Sequence, residues 1–264
     1  MPQGVTDPLK LGPVTLESRL IVGTGRYPTL ETMQRCHEAC GTQMVTVALR
    51  RIDPSTSAGG SKSILDHIDT NTITLLPNTS GAASASETLR LARIAAAMGN
   101  THLKIEVTGD LQTLLPDPIE TLRSVEAIKA HAETKQLYLM VYTSDDPVMA
   151  RRLADAGAEC IMPAASPIGS GRGIANEANL MILLEMMRGR VPVIVDAGIG
   201  LPSHAAQAME IGADAVLLNT AIAKAKDPVL MAAAMRDAVK AGRAGHLAGS
   251  IPAKLYATAS SPLT

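Results

Sequence analysis

Short apolar runs alternate with longer, helix-capped stretches along almost the whole chain, and this alternation limits the fold more than any other feature. The runs fall at residues 20–23, 44–49, 73–76, 103–107, 137–142, 160–162, 193–195 and 215–218. Most lack an alternation of polar and apolar positions, as expected of parallel strands covered on both faces. Between them, Ser84-Ala85-Ser86-Glu87 reads as a capping box, closed at the far end by Gly99-Asn100. Asp117-Pro118, Asp146-Pro147 and Asp227-Pro228 each place a cap residue before a proline at the first helical position. Gly157, Gly212 and Gly242 fall where helices should stop. Segments 51–62 and 163–173, rich in Gly, Ser and Pro, read as loops. Eight βα units in 264 residues predict a (β/α)8 TIM barrel, an α/β fold spanning 1–264 as one domain. A doubly wound open sheet is the alternative, but Val22-Gly23-Thr24-Gly25 lacks the third glycine of a dinucleotide-binding turn. Ahead of the first run, residues 9–17 read as a short hairpin placed to plug the barrel bottom.

Composition removes several function classes. With 46% apolar and 19% charged residues, the chain is no disordered segment. A net charge of -1 provides no field for nucleic acid or anionic lipid. Four Tyr with no Phe or Trp leave no stacking surface for single strands. Three cysteines do not make a disulfide framework. No apolar run reaches the length of a membrane span, and the N-terminal residues have no apolar core of a signal peptide, so a cytoplasmic location is expected.

In such a barrel the chemistry lies at the C-terminal ends of the strands and in the loops that follow. His102-Leu103-Lys104-Ile105-Glu106-Val107 is the sharpest candidate. Strand side chains alternate, so Leu103, Ile105 and Val107 would face the helices while Lys104 and Glu106 point inward. Desolvation is expected to lower the Lys104 pKa and leave neutral amine to attack a ketone; a structural Lys–Glu pair is the competing reading. Asp196 ends the seventh run, and Gly198 and Gly200 follow it ahead of a helix starting near Ser203, whose N–H groups suit a phosphate. Asn219 and Thr220 end the eighth run, and the loops after these two strands form the usual phosphate site of the fold. Pro167-Ile168-Gly169-Ser170-Gly171-Arg172-Gly173 reads equally as an anion nest or as a lid. Cys36 and Cys40 read as core thiols rather than metal ligands, Asp145-Asp146 as helix capping, and Arg50-Arg51 as either an anion site or surface ion pairs. From the residues alone, the chain is a barrel that binds a phosphorylated carbonyl compound, with Lys104 as nucleophile and Glu106 and Asp196 as proton carriers.

These residues belong to longer motifs: Val22-Gly23-Thr24-Gly25, Leu76-Pro77-Asn78-Thr79, Lys104-Ile105-Glu106-Val107, Leu114-Leu115-Pro116-Asp117, Val195-Asp196-Ala197-Gly198-Ile199-Gly200, Leu218-Asn219-Thr220-Ala221 and Ser260-Ser261-Pro262. In them the chain resembles the thiazole synthase family, which builds the thiazole ring of thiamin on a (β/α)8 barrel. The resemblance implies 1-deoxy-D-xylulose 5-phosphate as substrate, with its ketone held as an imine on Lys104. Glu106 and Asp196 match the family's acid–base carboxylates. The phosphosugar contacts fall on Gly171, Ala197, Gly198, Asn219 and Thr220. Sulfur is implied to come from the thiocarboxylate of a small ubiquitin-like carrier protein and nitrogen from dehydroglycine. Neither cofactor nor metal is implied, and the expected assembly is a homotetramer. The chain departs from the family at His102, where the family has an aromatic residue, and in the connections at 132–136 and 187–190. The tail at 249–264 reads equally as a carrier contact, as site closure or as a solvated end. Two other functions fit the residues: an aldolase-like Schiff-base enzyme acting on another phosphosugar, and a non-catalytic phosphosugar- or carrier-binding scaffold.

Overall fold

The computed structural model describes residues 7–51 and 64–261. The chain opens with β1 (Leu9–Leu11) and β2 (Val14–Leu16), an antiparallel hairpin. Then follow β3 (Leu20–Gly23), α1 (Leu30–Cys40), β4 (Met44–Ala48), β5 (Thr74–Asn78), α2 (Ala85–Ala97), β6 (His102–Ile105), α3 (Pro118–Ala130), β7 (Tyr138–Thr143), α4 (Pro147–Asp155), β8 (Cys160–Pro163), α5 (Glu177–Met187), β9 (Ile194–Asp196), α6 (Pro202–Glu210), β10 (Ala215–Leu218), α7 (Thr220–Ala223) and α8 (Pro228–Ala248). The strands β3 to β10 form one parallel sheet of eight, in which β10 returns to pair with β3. Between β8 and β9 the ring is closed by the isolated bridges Ile161–Val193 and Ala164–Asp196. The expected barrel is therefore formed. After β4 the described residues carry 3-10 turns at Leu49–Arg51 and Ile64–His67. Most of the loop expected at 51–62 lies outside the described residues.

Local signals explain most of the helix ends. Asp117, Asp146 and Asp227 each accept backbone N–H bonds at the start of α3, α4 and α8, which settles Asp146 as a cap. Ser84 accepts from Glu87 N, while the Glu87 carboxylate reaches back to Ala83 N, a capping box displaced by one residue. Gly157 and Gly212 follow the ends of α4 and α6 with positive φ. Gly242 does not end a helix: α8 runs on to Ala248, and Gly249 closes it. A β-carbon at Gly242 would collide with the Ala206 carbonyl of α6, so this glycine permits close helix packing.

The core has two layers. Leu103, Ile105 and Val107 point outward into the layer between sheet and helices. Inside the barrel, Ile21, Met44, Leu76, Met140, Met162, Ile194 and Ala215 pack against Leu9, Leu11 and Leu16 of the hairpin, which plugs the bottom. His102 helps to fix the plug: its Nε2 meets the Leu11 carbonyl at 2.9 Å and its Nδ1 meets Thr101 Oγ1 at 2.8 Å. Asp7 ties the hairpin's entry to the barrel, with its carboxylate shared between Arg19 and Arg243. Among the described residues, no helix is long and apolar enough to cross a membrane. Residues 249–261 are exposed and carry neither helix nor strand.

Candidate active site

The open end of the barrel holds a cavity of about 770 Å³. Every residue expected at the site lines it: Lys104, Glu106, Asp196, Gly171, Ala197, Gly198, Asn219 and Thr220. None of the tail at 249–261 does.

At its floor three charged side chains are buried together, with Lys104, Glu106 and Asp196 exposed by 5%, 8% and 3%. Lys104 Nζ lies 2.7 Å from Asp196 Oδ2 and 3.6 Å from Glu106 Oε2. The first contact is an ion pair without hydrogen-bond alignment, so Asp196 Oδ2 remains without a hydrogen-bond partner. Burial pushes the Lys104 pKa down, but the charges of Asp196 and Glu106 outweigh it, and the net shift is upward. This corrects the expectation of a lowered lysine pKa: desolvation acts as foreseen, but two carboxylates within reach reverse its effect. Burial also raises the Asp196 pKa, against the pull of Lys104. An aspartate whose proton affinity is raised, in contact with an ammonium, makes transfer of the lysine proton less costly.

The neighbouring strands hold this floor in place. Asn78 of β5 pairs in register with Lys104. Just beyond it, Ser80 Oγ donates to Glu106 Oε1 at 2.8 Å. Thr79 Oγ1 bonds the Glu106 backbone at both N–H and carbonyl, 2.9 Å each. The Tyr142 ring of β7 faces Lys104 Nζ, 5.5 Å from its centroid. Ser80 and Tyr142 were not singled out from the sequence.

The wall of the cavity between β8 and β10 is built of backbone. Ala197 takes a left-handed φ of 61°, strain of a kind that clusters at functional sites. Gly198 follows at φ 73°, where a β-carbon would collide with Ser166 Oγ. Gly173 N donates to the Gly198 carbonyl at 2.8 Å, and Gly171 packs directly on Gly200. Among the described residues, the N–H groups of Gly171, Gly198 and Thr220 donate to no acceptor of the chain, so all three are available to an anion. The N–H groups of Gly200 and Leu201 are taken by His204 Nδ1 at 3.3 Å each. Both precede α6; among the described residues, Ser203 N, within its first turn, donates to no acceptor of the chain. Asn219 Nδ2 donates to the Gly25 carbonyl at 2.8 Å, fixing the β3 loop beside α7.

The remaining candidates stay outside the site. Arg50 pairs with Glu87 at 3.5 Å on the surface. Cys36 and Cys40 are buried free thiols, pushed by burial up to about 11. Among the described residues no cluster of His, Cys, Asp and Glu could hold a metal ion.

The family of the thiazole biosynthesis protein ThiG matches residues 10–262 of this chain. The chain belongs to that family. The thiazole synthase of Myxococcus xanthus is 50% identical over 257 residues, covering 97% of this chain and 95% of its own. That of Exiguobacterium sibiricum is 52% identical over 257 residues, covering 97% and 98%. Among solved structures, a chain in the crystal structure of the Amycolatopsis orientalis BexX/CysO complex superposes with a TM-score of 0.81 at 33% identity, covering 94% of this chain and 98% of that one. Mandelate oxidase, with a TM-score of 0.60 at 17% identity, covering 92% of this chain and 78% of its own, shares the fold alone.

Proposed function

We propose that this member of the thiazole synthase family builds its ring through an imine between Lys104 and the ketone of 1-deoxy-D-xylulose 5-phosphate. The observation that carries this reading is a buried lysine facing the cavity with Asp196 at 2.7 Å and Glu106 at 3.6 Å. Lys104 passes a proton to Asp196 and attacks the ketone as the neutral amine. The carbinolamine then loses one water, its hydroxyl taking a proton back from the same carboxyl group. The resulting iminium makes the neighbouring C–H acidic. Glu106, held by Ser80, and Asp196 shuttle the protons that move the carbonyl function along the sugar. The phosphate rests on the N–H groups around Gly171, Ala197, Gly198 and Thr220, beside Asn219.

Sulfur then enters from the thiocarboxylate of a ubiquitin-like carrier protein, and dehydroglycine brings the nitrogen. Transimination releases Lys104. The crystallised association of BexX with CysO supports a protein partner for this barrel as well. A homotetramer is the assembly proposed.

The test is intact-protein mass spectrometry after mixing with the phosphosugar and borohydride, followed by peptide mapping. A stable adduct on Lys104, absent in Lys104→Ala, is expected. Binding of the sugar without any adduct would sink the imine mechanism and favour the scaffold reading.

A further inference from the structure

Tyr142 is fully buried, yet it touches both the charged floor and the loop above it. Its ring lies 5.5 Å from Lys104 Nζ, within cation–π range. Its hydroxyl reaches toward the Leu114 carbonyl at 3.5 Å. Leu114 lies in the loop from β6 to α3 and lines the cavity. A leucine at φ 53° is strained and holds that conformation only when its surroundings enforce it. Leu114 N donates to the Asp110 carbonyl at 2.9 Å, and Thr113 N donates to Asp110 Oδ2 at 2.7 Å. Gly109 N, at 3.4 Å from the Leu115 carbonyl, closes the loop's neck. Tyr142 is the one contact in this set that reaches from the loop to the lysine.

We infer that Tyr142 is a positioning residue that couples Lys104 to the loop over the cavity, the ring carrying the lysine nitrogen's positive charge and the hydroxyl holding the Leu114 backbone. The inference rests on the imine reading for its first half only. An ammonium has three N–H donors, whereas the iminium formed from it keeps one. Direct N–H contact with the two carboxylates is therefore reduced as the imine forms. Attraction to a ring face needs no N–H and persists through that change. The barrel interior thus places an aromatic face where a charge stays while its donors are lost. The groups facing Lys104 are Glu106 on its own strand's extension, Asp196 on β9 and Tyr142 on β7.

Two variants separate the halves. Tyr142→Phe keeps the ring and removes the hydroxyl; Tyr142→Met fills much of the space with no ring. In borohydride trapping at saturating sugar, Tyr142→Phe is expected to keep the alkaline limb of the native pH profile, because its ring remains. The trapping rate of Tyr142→Met is expected to fall about tenfold, with the alkaline limb of its pH profile moved down because its iminium loses a proton more readily. A side chain that only fills space would lower thermal stability without moving that limb. In hydrogen exchange, the Thr113 and Leu114 amides are expected to open faster in both variants. Native trapping and an unmoved limb in Tyr142→Met overturn the ring's role. Unchanged exchange in Tyr142→Phe overturns the hydroxyl's role. Absence of any adduct on the native protein defeats the imine reading and the ring's role with it, while exchange still decides the loop clamp.

Discussion

Asp196 acts on Lys104 in two opposed ways. As the nearest negative charge it raises the lysine pKa, and as a buried carboxylate with its own pKa raised it is ready to accept the lysine's proton. Asp196→Asn removes both effects. The lysine pKa should fall, so the acid limb of borohydride trapping should move to lower pH, while product formation drops about 100-fold for want of a proton carrier. Profiles of both activities check this; an acid limb that stays put would show that Asp196 does not control the amine. Gly198 lies in the same wall at φ 73°, beside Ser166. Gly198→Ala should cost about 2 kcal/mol of stability and weaken phosphosugar binding, as read by denaturant melts and titration. At this scale the sequence was most readable where one strand's alternation decided the answer: Lys104 and Glu106 point inward because Leu103, Ile105 and Val107 point outward. Ser80 and Tyr142 were not readable, because their reach to the floor depends on how β5 and β7 register against β6. The sign of the lysine shift depended on the same cross-strand distances.

Elements were legible from their ends. Aspartate–proline pairs marked three helix starts, and the glycines at 157 and 212 marked two stops. Gly242 misleads because a glycine that turns the chain and a glycine that admits a neighbour look identical in sequence. Only the second kind has ordinary helical backbone, as Gly242 does within α8. Gly242→Ala should push α8 from α6 and cost about 2 kcal/mol. Calorimetry is expected to show a lower Tm, and trapping on Lys104 at a temperature well below it should match the native protein. An unchanged Tm would mean the two helices separate without cost. The bonds from Gly200 N and Leu201 N to His204, just ahead of α6, were not legible, because they follow from a side-chain rotamer that no spacing rule supplies.

For the molecule as a whole, the count of βα units was enough to give the barrel, and the seam between β8 and β9 completes it. The attachment of the hairpin was less legible, since it joins Asp7 to Arg243 from the far end of the chain. Hydrogen bonding to Arg243, opposed by partial burial and aided by Arg19, holds the Asp7 carboxyl below its ordinary range. A carboxylate shifted this way adds stability above its unfolded pKa and loses it as pH falls through the folded value. Asp7→Asn should therefore lower stability by about 2 kcal/mol near neutrality, with Arg19 left short of its partner. The variant should also lose less than the native protein between about pH 5 and 2. Parallel acid limbs in the two proteins would show that Asp7 is not the group being titrated.

The hairpin plug has a consequence for traffic. Among the described residues, Leu9, Leu11 and Leu16 close one end of the barrel and the cavity opens at the other, so under the proposed chemistry sugar, dehydroglycine and a protein tail share that entrance. A protein docked over that entrance bars the sugar from entering and the finished ring from leaving. The turnover must then queue: small substrate first, carrier next, and product out only after the carrier has gone.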